Sequence, residues 1–261
     1  MLSGWRVPAC VAWATVDREI ADMIADKGRQ APGAVRITVT GVVQGVGFRP
    51  WVVREARALG LSGRVWNDAD GAVVEAAGDP AALRSLAARL ERCPLPGAEI
   101  ARVVTRPSDE SECVEQPPAR DAAAPEEAFS VAPGPSAAAA RSALPLAPDL
   151  ATCRDCLAEI RDPRDRRHRH PFAACARCGP RYTVATALPY DRERTTLAAF
   201  PLCAACRTEY EDPSDRRFHA QAIACPRCGP RLAALGPGGA PCARDEGALA
   251  AALTALRAGA V

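Results

Sequence analysis

The stretch GVVQGVGFRPW, residues 41–51, decides the fold of the first half of this chain. An apolar, β-branched run ends at Gly45 and Gly47, and Arg49 follows where a helix should begin. A loop between a strand and a helix N-terminus exposes backbone N–H groups, and the helix dipole adds positive potential there. Arg49 adds a planar, permanently charged group suited to two-point contact with a phosphate. The pattern indicates an anion cradle. A packed turn with a surface arginine stays open as an alternative, because two glycines alone are a weak signal.

The elements around this stretch predict one small domain. The expected order is a strand, a helix, a hairpin, a second helix and two more strands, over residues 35–43, 49–60, 63–78, 79–92, 99–106 and 127–133. The second helix begins with an aspartate and a proline, which is typical of a helix N-terminus, and its leucines form one stripe. This βαββαβ order predicts an α+β domain with a split βαβ sheet over residues 35–133.

The rest of the chain divides by composition. Residues 134–148 are rich in proline and alanine and are interpreted as a linker. Residues 149–232 contain an internal repeat with a spacing of fifty residues, as between Cys153 and Cys203. Residues 233–261 have the spacing of a helix that opens a further domain, which we expect to be truncated. Acidic residues stand where a signal peptide needs its cleavage site, so residues 1–34 are interpreted instead as a disordered extension or as an over-long start, with Met23 as a second possible initiator.

Each copy of the repeat carries two C-x-x-C pairs. Two such knuckles complete a closed tetrahedron of thiolates around one ion, so the predicted sites are structural and leave no position open for a substrate. Gly179 and Gly229 follow the second knuckles, where the chain must turn tightly. The predicted ligands of two Zn²⁺ ions are Cys153, Cys156, Cys175, Cys178, Cys203, Cys206, Cys225 and Cys228.

The two copies also act as an internal control for other ligands. His168, His170 and His219 have no histidine at the equivalent position of the other copy, so we interpret them as surface or interface residues. Disulfides are the alternative use of the cysteines, and metal pairing across the two copies stays open. The basic run at residues 161–170 has a less basic counterpart and is interpreted as a solvated face, partly paired with its own aspartates. This argues against nucleic acid as a partner.

Composition narrows the function classes further. The chain has 33 lysines and arginines and 31 aspartates and glutamates, so no overall charge attracts it to nucleic acid or to an anionic membrane. No apolar run reaches the ~20 residues of a membrane-spanning helix, and no membrane partner is expected. Cysteines at metal spacing suit a reducing compartment, which predicts a cytoplasmic protein.

The sequence VTGVVQGVGFRPWV, with NDADG downstream, resembles the acylphosphatase family. The resemblance implies a ferredoxin-like fold, in agreement with the predicted element order. It implies that Arg49 binds the phosphoryl group of an acyl phosphate and that Asn67 orients the attacking water. Without the resemblance, Asn67 would be interpreted as a turn residue. The implied phosphate-binding loop comprises Gln44, Gly45, Val46, Gly47, Phe48 and Arg49.

An acylphosphatase-like domain followed by two C4 repeats resembles the hydrogenase-maturation carbamoyltransferases of the HypF family. The similarity covers about residues 35–261 and includes DLATCRDCLAEIRDPRDRRHRHPF and ACPRCGPRL. It implies an enzyme that hydrolyses carbamoyl phosphate, uses ATP and Mg²⁺ to make a carbamoyl adenylate, and passes the carbamoyl group to HypE. The last helix is similar to the start of the family's YrdC-like ATP-binding domain, so ATP use and transfer are not expected of this chain.

Two other functions stay open at this point. One is a stand-alone acylphosphatase of broad specificity with a zinc appendage. The other is a zinc-dependent module that binds nucleic acid or unfolded chains, which would show a salt-sensitive affinity for polyanions and no phosphate release.

Overall fold

The computed structural model describes residues 33–68, 71–108, 129–134, 146–236 and 238–259. Residues 1–32 of the predicted extension (1–34) lie outside the described residues, and so does Asp70 of the predicted hairpin turn. The strands are β1 (Gly33–Val42), β2 (Ser62–Asp68), β3 (Gly71–Gly78), β4 (Glu99–Pro107), β5 (Phe129–Val131), β6 (Ala233–Leu235) and β7 (Pro241–Arg244). The helices are α1 (Phe48–Ala58), α2 (Pro80–Glu91), α3 (Arg154–Arg161), α4 (Ala204–Glu211) and α5 (Asp245–Arg257). Short 3₁₀ helices occupy Tyr182–Val184, Arg192–Arg194 and Thr196–Ala199.

The first domain is built on a five-stranded sheet with the order β4-β1-β3-β2-β5. β1 pairs antiparallel with β3 and β4, and β2 pairs antiparallel with β3. The short β5 runs parallel to β2 at the edge. α1 connects β1 to β2, and α2 connects β3 to β4. This topology confirms the α+β, ferredoxin-like fold that the sequence predicts.

One hydrophobic core lies between the sheet and the two helices. Both helices turn an apolar stripe inward, and the strands contribute alternate residues. Its members include Ile37, Val39, Val52, Val53, Ala56, Val65, Val74, Leu83, Leu86 and Leu90. Burial of each large aliphatic side chain stabilises the fold by about 1.5–3 kcal/mol. The cradle at the start of α1 therefore stands on a rigid base.

The two helices of this domain begin differently. The side chain of Asp79 accepts hydrogen bonds from the N–H groups of Ala81 and Ala82 at 2.9 and 3.0 Å, which caps α2 as its sequence predicts. α1 starts after Gly47, which has no capping side chain. The first N–H groups of α1 are thereby left for another acceptor.

The second domain has little regular structure. α3 and α4 each begin directly after the first cysteine of a copy, Cys153 and Cys203, and each ends before an aspartate, Asp162 and Asp212. Its small cores are formed largely by cysteine and alanine side chains, with few large apolar groups. A domain with so small a core depends on other stabilisation, such as metal sites.

The end of the predicted linker is packed against the first domain. Leu146 forms an isolated parallel bridge with Gln44, and the N–H of Ala147 donates to the carbonyl oxygen of Gln44 at 3.4 Å. Ala147 is fully buried, and Phe218 of the second domain belongs to the core of the first. The proline-rich composition predicts an unpacked segment, but Leu146 and Ala147 at its end pack against the cradle loop.

The C-terminal part consists of the β6–β7 hairpin followed by α5. Leu253 and Leu256 on α5 are exposed. The expectation that these residues open a further domain stays a prediction. Among the helices in the described part of the chain, none is long and apolar enough to cross a membrane.

Candidate active site and metal centres

The loop between β1 and α1 has the backbone of an anion cradle. Gly45 and Gly47 both have φ of +79°, a left-handed conformation that favours glycine. Within the residues that the structure describes, no backbone acceptor is bonded to the N–H groups of Gly45, Val46 or Gly47. A Cβ on Gly47 would lie 3.1 Å from the carbonyl oxygen of Ala176 in the second domain. The glycines thus allow the turn and also the close approach of the second domain.

Arg49 projects from the first turn of α1 and is only 7% exposed. Its Nη1 donates to Oδ1 of Asp191 at 2.6 Å, and its Nη2 donates to the carbonyl oxygen of Tyr190 at 3.1 Å. Both partners belong to a segment between the two cysteine clusters, residues 188–191, which we call the strap. A guanidinium has five N–H donors, so Arg49 retains donors for a further anion.

Asn67 and Gln44 meet the same strap. Asn67 lies near the end of β2, is 1% exposed, and donates from Nδ2 to the carbonyl oxygen of Tyr190 at 3.0 Å. Oε1 of Gln44 accepts from the N–H of Tyr190 at 2.7 Å, and its Nε2 donates to the carbonyl oxygens of Asp68 and Gly71. Three of the predicted site residues therefore converge on the backbone of one residue, Tyr190.

The carbonyl oxygen of the Asn67 side chain is the unsatisfied atom of this junction. Oδ1 is buried and has no hydrogen-bond partner among the described residues. Leaving such an acceptor unpaired costs about 1–3 kcal/mol, so a donor is expected at this position. A cavity of about 30 Å³ adjoins it, lined by Arg49, Asn67, Tyr190 and His219 among others. This volume holds a water molecule.

His219 lies in the wall of this cavity, 4.8 Å from the ring of Tyr210. Burial and the neighbouring Arg49 lower the pKa of His219 to about 4. Its imidazole is therefore neutral near pH 7 and adds no charge beside the arginine. The sequence interpretation of His219 as an interface residue agrees with this position.

Two features of the site were missed by sequence reasoning, the strap and Arg181. Arg181 is 3% exposed, and its Nε donates to the carbonyl oxygen of Gly45 in the cradle. Its other guanidinium nitrogens donate to the carbonyl oxygens of Cys175, Ala176 and Cys178. Arg181 therefore ties a cysteine knuckle to the cradle. Its position after C-G-P is repeated by Arg231, so the repeat pattern alone does not single out Arg181.

The eight predicted ligands form two clusters, each from one copy of the repeat. The first cluster is Cys153, Cys156, Cys175 and Cys178, and the second cluster is Cys203, Cys206, Cys225 and Cys228. Metal pairing is therefore within each copy and not across copies. The sulfurs are those of free cysteines, so the disulfide alternative is wrong for them.

The sulfur spacing fits zinc. Distances between Sγ atoms are 3.9, 3.7 and 3.6 Å in the first cluster and 3.8 and 3.7 Å in the second. A tetrahedron with Zn–S bonds of about 2.3 Å has edges of about 3.8 Å. Four thiolates at this spacing fill a tetrahedral site and leave no open position, as in structural zinc sites.

The two clusters are braced across the repeat by arginines. Nη1 of Arg216, in the second copy, donates to Sγ of Cys156 in the first at 2.9 Å. Arg166, in the first copy, donates to Sγ of Cys206 in the second at 3.3 Å. Adjacent to each, Arg217 and Arg167 are buried and donate to the carbonyl oxygens of Ala174 and Ala224.

Carboxylates complete this brace. Glu159 pairs with Arg216 and Arg217, and Glu209 pairs with Arg166 and Arg167. Burial alone would raise the pKa of Glu159. Hydrogen bonds from Arg217 and then Arg216 outweigh burial and lower this pKa to about 2. Residues 161–170 were expected to form a solvated face paired with its own aspartates. For Arg166 and Arg167 this interpretation is wrong, because both side chains pair with Glu209 of the other copy.

The interpretation of the histidines as surface or interface residues is narrowed for His170. His170 is 4% exposed and its Nε2 has no hydrogen-bond partner in the described residues. Its ring contacts Phe172 edge-on at 5.7 Å. His170 is therefore a buried residue and not a surface one, while His168 is half-buried.

Comparison with known proteins finds a family match for each of the two domains. The acylphosphatase family model matches residues 35–115, and the HypF finger model matches residues 152–185 and 202–235. Carbamoyltransferase HypF2 of Cupriavidus necator is 46% identical over 169 residues, which are 65% of this chain and 19% of that protein. An acylphosphatase of Rhizobium etli is 47% identical over 73 residues, which are 28% of this chain and 77% of that protein.

Among solved structures, a full-length HypF in a phosphate- and nucleotide-bound form superposes with a TM-score of 0.70. It is 32% identical, and the match covers 89% of this chain and 28% of that one. The chain spans about a fifth of the length of the curated HypF proteins it matches. Through residues 35–115 the chain belongs to the acylphosphatase family, and with the two fingers that follow it is similar to the N-terminal part of the HypF carbamoyltransferases.

Proposed function

We propose that the cradle hydrolyses an acyl phosphate and that its substrate is carbamoyl phosphate. The observation that carries the proposal is the convergence of Arg49, the unbonded N–H groups of the loop and the unpaired Oδ1 of Asn67 around one cavity. These groups are a cation, a set of donors and an acceptor, which are what a phosphoryl group and an attacking water need. The likeness to acylphosphatases and HypF proteins supports the reaction class and the substrate.

The chemistry is positioning and charge stabilisation. Arg49 and the N–H groups hold the phosphoryl oxygens, and Oδ1 of Asn67 accepts a hydrogen bond from the attacking water. Water attacks phosphorus, the bond from phosphorus to the acyl oxygen breaks, and the proton of the water passes to a phosphate oxygen. The leaving group of carbamoyl phosphate is a carbamate, an anion that needs no proton to depart. The neutral His219 is therefore not required as an acid.

Two structural zinc ions are part of this proposal. The first cluster and the second cluster would hold one ion each, and zinc would supply a fold for the second domain rather than a step of the reaction. Through Arg181 and the strap, the folded second domain fixes Gly45, Arg49 and Asn67. Zinc thus supports the site from a distance.

For the longer proteins that this chain resembles, the same proposal extends to the next steps. By likeness to HypF, a protein with the remaining length would use ATP and Mg²⁺ to activate the carbamoyl group and would transfer it to HypE, in the cytoplasm. The paired cysteines at zinc spacing support a reducing compartment. The ATP and transfer steps are not assigned to the residues of this chain.

The test is release of phosphate from carbamoyl phosphate by the zinc-loaded chain. Arg49→Ala is expected to lower kcat/KM by at least about 10³-fold and Asn67→Ala by about 10²-fold, the range for groups that stabilise a transition state. Arg84→Ala, at an exposed position of α2, is the matched control for loss of an arginine. Phosphate release that survives in both site variants, or none in the zinc-loaded wild type, would reject the proposal.

A further inference from the structure

An anion of the chain itself stands at the candidate phosphate position. Oδ1 of Asp191 lies 2.6 Å from Nη1 of Arg49, and no other carboxylate of the described residues is bonded to that guanidinium. The side chain of Asp191 is 26% exposed and that of Arg49 is 8% exposed, so water reaches the pair only in part. Charge-assisted hydrogen bonds of this length are among the stronger ones in proteins. A phosphoryl group would have to compete with Asp191 for the arginine.

Space leads to the same conclusion. The cavity of about 30 Å³ beside Arg49 is small and has room for a water molecule. A larger cleft of about 590 Å³ also reaches Arg49 and is lined by Asp191, Tyr210 and Gln221 among others. A substrate that enters through this cleft would pass Asp191 and take the place of its carboxylate on the guanidinium.

We propose that Asp191 is a specificity-determining residue. When the substrate binds, the carboxylate of Asp191 gives up its hydrogen bond from Arg49 and accepts one from the amino group of carbamoyl phosphate. The inference rests on the proposed function. A partly buried carboxylate that loses its arginine needs another donor. The adjacent Arg192 is already committed, because its guanidinium donates to the carbonyl oxygens of Gln221, Ile223 and Phe200. The N–H groups of the substrate supply the missing donor.

The other acceptors near this position are occupied. The carbonyl oxygen of Tyr190 accepts from Arg49 and Asn67. Oε1 of Gln221 accepts from the N–H of Arg192 and the hydroxyl of Tyr210. If the phosphoryl group binds the cradle and the substrate enters through the larger cleft, the acyl group would face the strap and Asp191. Acetyl phosphate is of the same size but has a methyl group in place of the amino group, and so leaves the carboxylate without a donor.

The experiment compares kcat/KM for carbamoyl phosphate and acetyl phosphate in the zinc-loaded chain. The wild type is expected to prefer carbamoyl phosphate by about tenfold to a hundredfold, the range for one hydrogen bond to a charged group. Asp191→Ala is expected to remove most of this preference, mainly by raising kcat/KM for acetyl phosphate, because no carboxylate is then left to compete or to lose its partner. Glu91→Ala, which removes an exposed acid at the end of α2 outside the cleft, is the control and should keep the preference.

Binding of inorganic phosphate, measured by calorimetry, gives a second readout without turnover. Asp191→Asn keeps the size of the side chain, and it should bind phosphate at least about tenfold more tightly than the wild type, because the competing charge is gone. A preference that persists in Asp191→Ala, or an equal loss on both substrates with unchanged phosphate affinity, would overturn the assignment. If the wild type released phosphate from neither substrate, the proposed function and the specificity would both fail, while tighter phosphate binding by Asp191→Asn would leave Asp191 only as a competing anion.

Discussion

Substitution of Arg216 by methionine should weaken the metal site of the other copy of the repeat. Arg216 belongs to the second copy, but its Nη1 donates to Sγ of Cys156, a member of the first cluster, at 2.9 Å. It also pairs with Glu159, which follows Cys156 on α3. Four thiolates around one zinc ion carry a net charge of −2, and a guanidinium beside them offsets part of it. Methionine keeps much of the length and removes the charge and the donors.

The expected magnitude follows from this single contact. A hydrogen bond from a charged donor contributes about 1.5–3 kcal/mol, which corresponds to roughly a tenfold to hundredfold change in an equilibrium constant. Loss of an outer partner of a metal ligand has effects of the same size. We therefore expect zinc to leave the first cluster at a free chelator concentration about ten to a hundred times lower than in the wild type. The second cluster, which Arg216 does not contact, should retain its affinity.

The assay is a chelator titration followed by alkylation and peptide mass spectrometry. Alkylation of Cys153 and Cys156 reports release of zinc from the first cluster, and alkylation of Cys203 and Cys206 reports release from the second. Arg207→Met is the matched control, since Arg207 lies on α4 in the same copy but pairs only with Glu211, at 3.6 Å, among the described residues.

The reciprocal variant tests the equivalent contact in the opposite direction. Arg166→Met, in the first copy, should release zinc from the second cluster, because Arg166 donates to Sγ of Cys206. If each variant weakened the cluster of its own copy, or if both clusters weakened equally in both variants, the brace would not act on the metal sites and the effect would be a general loss of stability.

Three further predictions concern the cradle and the second domain. Gly47→Ala should lower the free energy of unfolding, measured in urea, by more than Gly60→Ala does. Both residues have positive φ, which costs about 1–2 kcal/mol for a residue with a side chain. Only at position 47 would the new Cβ also lie close to a carbonyl oxygen, 3.1 Å away. Arg181→Met should weaken phosphate binding in calorimetry, because the carbonyl oxygens it pairs are left unsatisfied at about 1–3 kcal/mol each; unchanged binding with zinc bound would show that the cradle does not depend on it. Burial and then Arg167 lower the pKa of His170 to about 4, so the unfolded state binds more protons and stability is lost as pH falls below about 6.5. His170→Phe should remove about 1 kcal/mol of this decline between pH 7 and pH 5.5 in urea unfolding with excess zinc, and a parallel decline in both proteins would contradict it.

The fold of the first domain could be predicted because its signals are local. The aspartate and proline at residues 79 and 80 mark the start of α2, and they do so in the structure through two backbone N–H groups. The alternation of apolar residues sets the strands, and the leucine stripe sets the buried face of α2. Each of these signals involves neighbours within a few positions, so it survives without knowledge of the tertiary structure.

The site could be predicted only in part. The residue pattern singles out Arg49 and the resemblance adds Asn67, but their common partner, Tyr190, is more than a hundred residues away along the chain. No local pattern predicts that a strap between two zinc fingers meets the start of α1. Contacts of this kind depend on how the two domains pack, which hydrophobic periodicity does not encode.

The arginine brace is different, because the repeat itself carries a signal for it. The sequence D-R-R occurs at residues 165–167 and again at 215–217, and a glutamate occupies the same place in both copies. Pairing the arginines with nearby aspartates was reasonable for an isolated finger. In a tandem repeat, equal charges at equal positions instead indicate contacts across the pseudo-symmetry, with each glutamate facing the arginines of the other copy.

The convergence on Tyr190 explains why the two domains act as one unit at the site. In a single acylphosphatase domain, the cradle would face water, and water would satisfy Asn67, Gln44 and Arg49. Here the second domain replaces that water with fixed backbone groups, because Tyr190 both donates to Gln44 and accepts from Arg49 and Asn67. Fixed groups cost less reorganisation free energy than water molecules when charge develops on a phosphoryl group. On the proposed function, the acylphosphatase fold would supply the groups that bind the phosphoryl group, and the finger domain would fix their positions and, through Asp191, select the substrate.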